Sequence, residues 1–335
     1  MPNTHRNIRW GIAGLGNIAH RFAGDLVHHA ENAKLAAVAA RDGKRAQEFA
    51  AQHGCEISHG SYEALALDNT IDIVYVAVIH PFHRQLVELF LRHGKHVLVE
   101  KPAFTNLKDW DDMAALAADK GLLLAEAMKS VAFPAYRELL QFIRDKNIRL
   151  TSVQAAFGDP QDFDPTQQIF NKSLCGGATL DVGVYALWLY FDLCRHTDSL
   201  PGRPESVNMV IHPEAGVDKT ATFVFGGDCK GTLSASITED LERTARLCGD
   251  DIEIIIREKW WNPKSIDITW KGINRSIRHE GAGGGFEYEI GHLSRLIQEG
   301  KTQSDVLSHA VSREVIRTME EGLSANGLAY LTIAG

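Results

Sequence analysis

Ile8-Arg9-Trp10-Gly11-Ile12-Ala13-Gly14-Leu15-Gly16-Asn17-Ile18-Ala19 is the stretch on which the reading of this chain turns. The apolar run Ile8 to Ala13 passes through G-x-G-x-x-A at Gly14, Gly16 and Ala19 into Asn17 to Val27, where Ile18, Phe22 and Leu26 recur four apart. That order is a strand, a glycine turn and a helix with one buried face. Gly14 permits the tight turn, Gly16 lets the backbone approach a diphosphate, and Ala19 lets the helix pack closely on the sheet. A diphosphate would rest on the helix N-terminus at Asn17 and Ile18, where unpaired N–H groups and the dipole favour negative charge. A glycine turn can exist without a ligand, and what points to a dinucleotide is its place on the first strand-to-helix turn of an alternating domain.

The alternation continues outward from that turn. Leu35 to Ala40, Ile73 to Val78 and His96 to Val99 read as strands, with Leu122 to Ala125 as one more apolar run. Gly43 to His53, His83 to Arg92 and Leu107 to Lys120 read as helices between them. Strands bare of polar residues, such as Val74 to Ile79, are expected where helices cover both faces of a parallel sheet. After about Lys129 the texture changes. Ser152 to Phe157, Val207 to Ile211, Thr220 to Phe225, Gly231 to Ile237, Ile252 to Arg257 and Ile266 to Trp270 cluster or alternate apolar residues between turn signals, as antiparallel strands do. Helices are expected at Gly177 to Cys194, Phe286 to Gln298 and Val306 to Leu323. The expected fold is α/β: a doubly wound parallel (Rossmann) sheet over residues 1–128, then an α+β domain with a largely antiparallel open sheet over residues 129–335.

Composition narrows the function. The 335 residues carry 35 basic and 43 acidic side chains, a formal net charge of -8, so no global basic field attracts a nucleic-acid backbone and any anionic ligand must be held locally. Five cysteines without a C-x-x-C pair read as reduced thiols of a cytoplasmic protein. No run approaches the about 18 apolar residues of a membrane span, and the N-terminus has no apolar leader. None of the 15 histidines sits in a ligand-like cluster, so no metal is expected. Trp260-Trp261 reads as sheet packing.

Three places carry chemistry. After the second strand the chain runs Ala39-Ala40-Arg41-Asp42-Gly43-Lys44-Arg45, where an NAD enzyme would end its strand in a carboxylate. Arg41 and Arg45 instead offer guanidinium groups suited to the 2'-phosphate of NADP, although Asp42 is close enough to reach a ribose. Beyond the strand at 96 to 99, Glu100-Lys101-Pro102 places Lys101 where a nicotinamide ring would lie, able to hydrogen-bond a reacting oxygen. Further on, Asp181 and Tyr185 are i and i+4 in Cys175-Gly176-Gly177-Ala178-Thr179-Leu180-Asp181-Val182-Gly183-Val184-Tyr185, on one helical face. Taken alone, each could be an ordinary cap or core aromatic.

The order G-x-G-x-x-A, E-K-P, then G-G-x-x-x-D-x-G-x-Y, with Glu126-Ala127 opening the link, resembles the Gfo/Idh/MocA oxidoreductases over essentially the whole chain. Tyr185, in place of the histidine common in that family, together with Ala-Ala-Arg-Asp and His80-Pro81-x-His83, is similar to the dimeric dihydrodiol dehydrogenase branch. The usual Arg-Phe-Phe-Pro of that branch is absent; this chain has Lys129-Ser130-Val131-Ala132-Phe133-Pro134. The resemblance implies an NADP-dependent oxidoreductase acting on a secondary alcohol of a sugar or trans-dihydrodiol. Tyr185 would be its acid/base, assisted by Lys101, with Asp181 orienting the substrate or the lysine. It also implies that His80, His83 and Glu100 border the cofactor, and that the protein is a homodimer through the C-terminal sheet. The alternatives are a non-catalytic NADP(H) sensor of the same fold, and an inositol or keto-sugar dehydrogenase.

Overall fold

The structure, a computed structural model, describes residues 6–197 and 202–329. Its first part alternates β1 (Ile8–Ala13), α1 (Asn17–His29), β2 (Ala33–Ala39), α2 (Gly43–His53), β3 (Ile57–His59), α3 (Tyr62–Leu67), β4 (Ile73–Val76), α4 (His83–Arg92), β5 (His96–Glu100), α5 (Leu107–Asp119) and β6 (Leu124–Ala127). The strands form one parallel sheet in the order β3-β2-β1-β4-β5-β6. The order reverses between β1 and β4, and a sheet wound this way opens a ligand crevice beyond the carboxyl ends of those strands. Every residue of β4 is fully buried, which is why its sequence contains no polar alternation. The short pair β3 and α3 has too few residues to show a period, and the sequence reading passes over it.

The later part comprises α6 (Pro134–Asp145), β7 (Leu150–Gly158), α7 (Val184–His196), β8 (Pro204–Ile211), β9 (Asp218–Phe225), β10 (Lys230–Ser236), β11 (Ala245–Gly249), β12 (Ile252–Ile256), β13 (Ser265–Trp270), β14 (Ile273–Arg278), α8 (Phe286–Gln298) and α9 (His309–Ala325). Its eight strands order as β14-β13-β12-β11-β7-β10-β9-β8 and are antiparallel except for the pair β7 and β10. Alternate residues of β9 turn inward, and Phe225 packs against Tyr190 and Phe191 of α7 at centroid distances of 4.4 and 5.7 Å.

Two expectations need correction, and one helix packs away from its sequence neighbours. The stretch Lys172–His196 is, contrary to the sequence reading, long and apolar enough to cross a bilayer by length and composition. Its apolarity has a packing cause: nearly all of α7 is buried inside the protein. The last helix starts at His309 instead of Val306, because the Ser304 hydroxyl accepts the amides of Val306 and Leu307 and holds them in a turn. α8 follows the second sheet in sequence but packs on the first: Trp10 donates its indole N–H to Ser294 at 3.0 Å, and Asp25 of α1 accepts the amides of Gly284 and Phe286 at 2.9 Å.

Candidate active site

The glycine turn is built for close approach. Gly14 has φ 93°, and a Cβ there would stand 2.5 Å from the Ala77 carbonyl oxygen, so the position admits only glycine. A Cβ on Gly16 would meet nothing within 4 Å, and no side chain caps the start of α1. The open N-terminus and the space above Gly16 fit a dinucleotide diphosphate. They form one end of a cleft of about 720 Å³ whose lining includes Gly14, Gly16, Ile18, Arg41, Arg45 and Phe82. Asn17 is exposed, and its side chain lies outside that lining.

Asp42 is occupied elsewhere. Its carboxylate caps α2 by accepting the amides of Lys44 at 2.9 Å and Arg45 at 3.4 Å, the role expected of an aspartate in front of a helix. Arg45 donates to the Leu15 carbonyl at 2.7 Å, which ties α2 to the glycine turn. Arg41 lies 5.7 Å over the Phe82 ring at the cleft wall, and among the described residues no hydrogen bond or ion pair holds it.

At the carboxyl end of β5 the Lys101 ammonium is gripped by Asp181, through the backbone carbonyl at 2.6 Å and the carboxylate at 3.1 Å. A π turn, Thr179–Gly183, precedes α7 and carries Asp181. Burial alone would lower the Lys101 pKa, but Asp181, Tyr185 and Glu100 together raise it, so the ammonium stays charged. That charge sits 5.2 Å from the centre of the Tyr185 ring. Burial pushes the Tyr185 phenol up to about 12 against the pull of Lys101. No hydrogen bond from a described residue reaches its hydroxyl, which is free to meet a ligand.

The structure sorts the remaining expected residues. His80 borders this group: its Nδ1 donates to the Cys175 carbonyl at 3.0 Å, and burial, with His83 and Lys101, pushes its pKa down to about 3, so the ring is neutral. His83 does not reach the cleft. It is fully buried, with Nδ1 against the carbonyls of Pro102 and Ala103 and Nε2 against that of Val78, and it braces the loops that carry His80 and Lys101. The Glu100 side chain likewise points inward, accepting the Tyr75 hydroxyl and the Lys101 amide, with its pKa raised by burial. Neither side chain is among the residues that line the cleft.

One aromatic residue beside Tyr185 gives no sign of that place in the sequence. Phe157, at the end of β7, lies 5.4 Å from the Tyr185 ring and is stacked on Trp261 at 3.7 Å and 12°. Trp260 and Trp261 both pack on the sheet as expected, Trp260 buried and donating to the Ala156 carbonyl, Trp261 half-buried and stacked on Phe157. The packing of α7 on β7 brings Phe157 to Tyr185 from a distant part of the sequence, so no local signal marks it. Lys129, where the branch pattern breaks, is buried with its ammonium on the Gly284 carbonyl at 2.7 Å and 4.4 Å over Phe286.

With this geometry in place, comparison with known proteins decides the family. Residues 8–128 match the model of the GFO_IDH_MocA oxidoreductase family with its NAD-binding Rossmann fold. The trans-1,2-dihydrobenzene-1,2-diol dehydrogenase of Xenopus tropicalis is 33% identical over 334 residues, covering 96% of this chain and 99% of that protein. The chain belongs to the Gfo/Idh/MocA oxidoreductases. The human trans-1,2-dihydrobenzene-1,2-diol dehydrogenase is 30% identical to this family member over 339 residues, covering 96% and 98%. Among solved structures, an aldose-aldose oxidoreductase from Caulobacter crescentus superposes with a TM-score of 0.82 at 21% identity, covering 97% and 98%. A 3-ketoreductase from Actinomadura kijaniata, in complex with NADP and TDP-benzene, gives 0.79 at 21% identity, covering 94% and 96%. These two share the fold of this oxidoreductase.

Proposed function

We propose that the chain is an NADP-dependent dehydrogenase that interconverts a secondary alcohol of a sugar or trans-dihydrodiol with its carbonyl, using Tyr185 as acid/base. The observation that carries this reading is the Lys101 ammonium, locked by Asp181 and lying over the ring of a tyrosine whose hydroxyl no described residue engages. The bound nicotinamide would accept or supply the hydride. The chain's own work is to place the reacting carbon and to move the proton. With its pKa at about 12, the Tyr185 phenol is protonated near neutrality and is ready to donate to a carbonyl oxygen during reduction. In oxidation it must give up that proton, which the fixed Lys101 charge makes easier by stabilising the phenolate. Asp181 holds the lysine in place, and His80, kept neutral, adds no competing charge.

NADP is favoured over NAD because Arg41 is free at the cleft wall while Asp42 is committed to capping α2. The Phe157–Trp261 wall supports a substrate with an apolar ring face, as sugars and dihydrodiols have, and the names of the dihydrodiol dehydrogenase relatives support the same class. In this reading residues 1–128 hold the nucleotide and residues 129–335 supply Asp181 and Tyr185. The outer face of the second sheet, with Gln154, Thr232 and Arg246 around a groove of about 630 Å³, would pair two copies, and the free cysteines suit the cytoplasm. A sensor without chemistry would have no use for the Lys101–Tyr185 arrangement. The test is turnover of a panel of aldoses and trans-dihydrodiols with NADP+ and with NAD+. Turnover that prefers NADP+ supports the reading, and tight NADPH binding without turnover of any member overturns it.

A further inference from the structure

Asp218, the first residue of β9, is fully buried and takes no part in the mechanism above. One carboxylate oxygen accepts the amide of Thr179 at 2.7 Å, and the other has no partner. Thr179 begins the π turn that ends at Gly183 and contains Asp181. The contact also accounts for the glycine before that turn: Gly177 has φ 112°, and a Cβ there would lie 2.1 Å from the unpartnered oxygen. A chain of direct contacts therefore runs from the Asp218 carboxylate to the Thr179 amide, along the turn to the Asp181 carbonyl and carboxylate, and on to Lys101 over the Tyr185 ring.

We propose that Asp218 is a positioning residue of the Lys101–Tyr185 site, anchoring the π turn so that Asp181 holds Lys101 in register with Tyr185; this rests on the roles given above to those two residues. A buried carboxylate is an expensive way to cap a turn, and a neutral acceptor would serve stability better, which argues that the negative charge is kept for the site. Burial pushes the Asp218 carboxyl up to about 7, opposed in part by the hydrogen bond from the Thr179 amide. Titratable groups on the neighbouring segments are Lys219 beside it, His212 after β8 and Asp181 in the turn, and none is among the groups that shift it. The anchor is therefore at full strength only above about pH 7, where the carboxylate is charged.

The test compares the full-length protein with Asp218→Asn, Asp218→Ala and Tyr185→Phe. A readout independent of turnover is the rate at which acetic anhydride labels Lys101, followed by peptide mass spectrometry; it should rise several-fold in Asp218→Ala as the grip of Asp181 loosens. With a substrate from the panel, kcat should fall at least about tenfold in Asp218→Ala and less in Asp218→Asn, with KM and NADPH affinity nearly unchanged. The rise of kcat through about pH 7 should vanish in Asp218→Asn. Unchanged Lys101 labelling together with wild-type kcat and pH profile in both Asp218 variants overturns the proposal. Equal losses of kcat and thermal stability in both variants also overturn it, since a purely structural residue behaves so. Full turnover by Tyr185→Phe removes the parent reading instead, whatever the Asp218 variants do.

Discussion

Replacing Arg41 by alanine separates the two dinucleotides. Among the described residues the Arg41 guanidinium makes no hydrogen bond or ion pair and only lies over exposed Phe82 at the edge of the cleft, so the fold should tolerate the change and nearly the whole effect should fall on the ligand. A charge-assisted hydrogen bond to a phosphate is worth about 1.5 to 3 kcal/mol, and the exposed position of Arg41 argues for the lower end. About 1.5 kcal/mol is roughly tenfold in Kd. Arg45 lies nearby, but its guanidinium also bonds the Leu15 carbonyl, so it can compensate only in part. Fluorescence titration should therefore show NADPH binding weakened about tenfold in Arg41→Ala, less so as salt rises, with NADH affected under about twofold. Equal weakening of both dinucleotides, or none for NADPH, would refute the assignment. Asp42→Ala is the control: it should cost about 1 kcal/mol of stability through the lost cap of α2 and leave the preference between the dinucleotides unchanged.

Gly14→Ala should abolish NADPH binding and lower Tm, because its Cβ would press within 2.5 Å of the Ala77 oxygen at a φ that strains any side chain by about 1 to 3 kcal/mol. Asp218→Asn should raise Tm at about pH 8 and change it little at about pH 5. The carboxyl titrates at about 7 in the folded protein against an ordinary 3.8, so the native state holds a proton the unfolded chain has released, and stability falls as pH climbs between those values. At about 1.36 kcal/mol per pH unit the loss above pH 7 is on the order of 4 kcal/mol, and a Tm difference independent of pH would contradict it. Trp261→Ala should raise KM several-fold and leave NADPH affinity unchanged; loss of NADPH affinity would place the indole at the cofactor instead.

The parallel sheet was legible because its signals are local: the glycine turn, the apolar strands and the four-residue spacing of α1 all lie within windows shorter than twenty residues. Elements with short or weak signals were missed, among them β3, α3, β11 and β14, of which β14 is mostly exposed and carries little apolar pattern, whereas α6 was passed over although Tyr136, Leu139, Leu140 and Ile143 recur at helical spacing. At the site, Lys101, Asp181 and Tyr185 could be named because three motifs occur in a fixed order, but the motifs do not say which way a side chain turns. Glu100 neighbours Lys101 in sequence and faces the opposite way, as adjacent residues leaving a strand do. His83 follows the same lesson: a histidine opening a helix beside the cleft became a buried brace, since three carbonyl oxygens surround its ring. Asp218 and Phe157 had no signal at all, because the π turn and the packing of α7 on β7 bring them to the site from distant parts of the chain.

The central claim is that Tyr185 exchanges the substrate proton while Lys101 holds a positive charge beside it. The most direct measurement is the nicotinamide absorbance change of Tyr185→Phe, under saturating NADP+ and a substrate turned over by the wild type, alongside its NADPH affinity. The account predicts a loss of kcat of at least about a hundredfold, with NADPH bound as tightly as by the wild type. Turnover at the wild-type rate in that variant would contradict it.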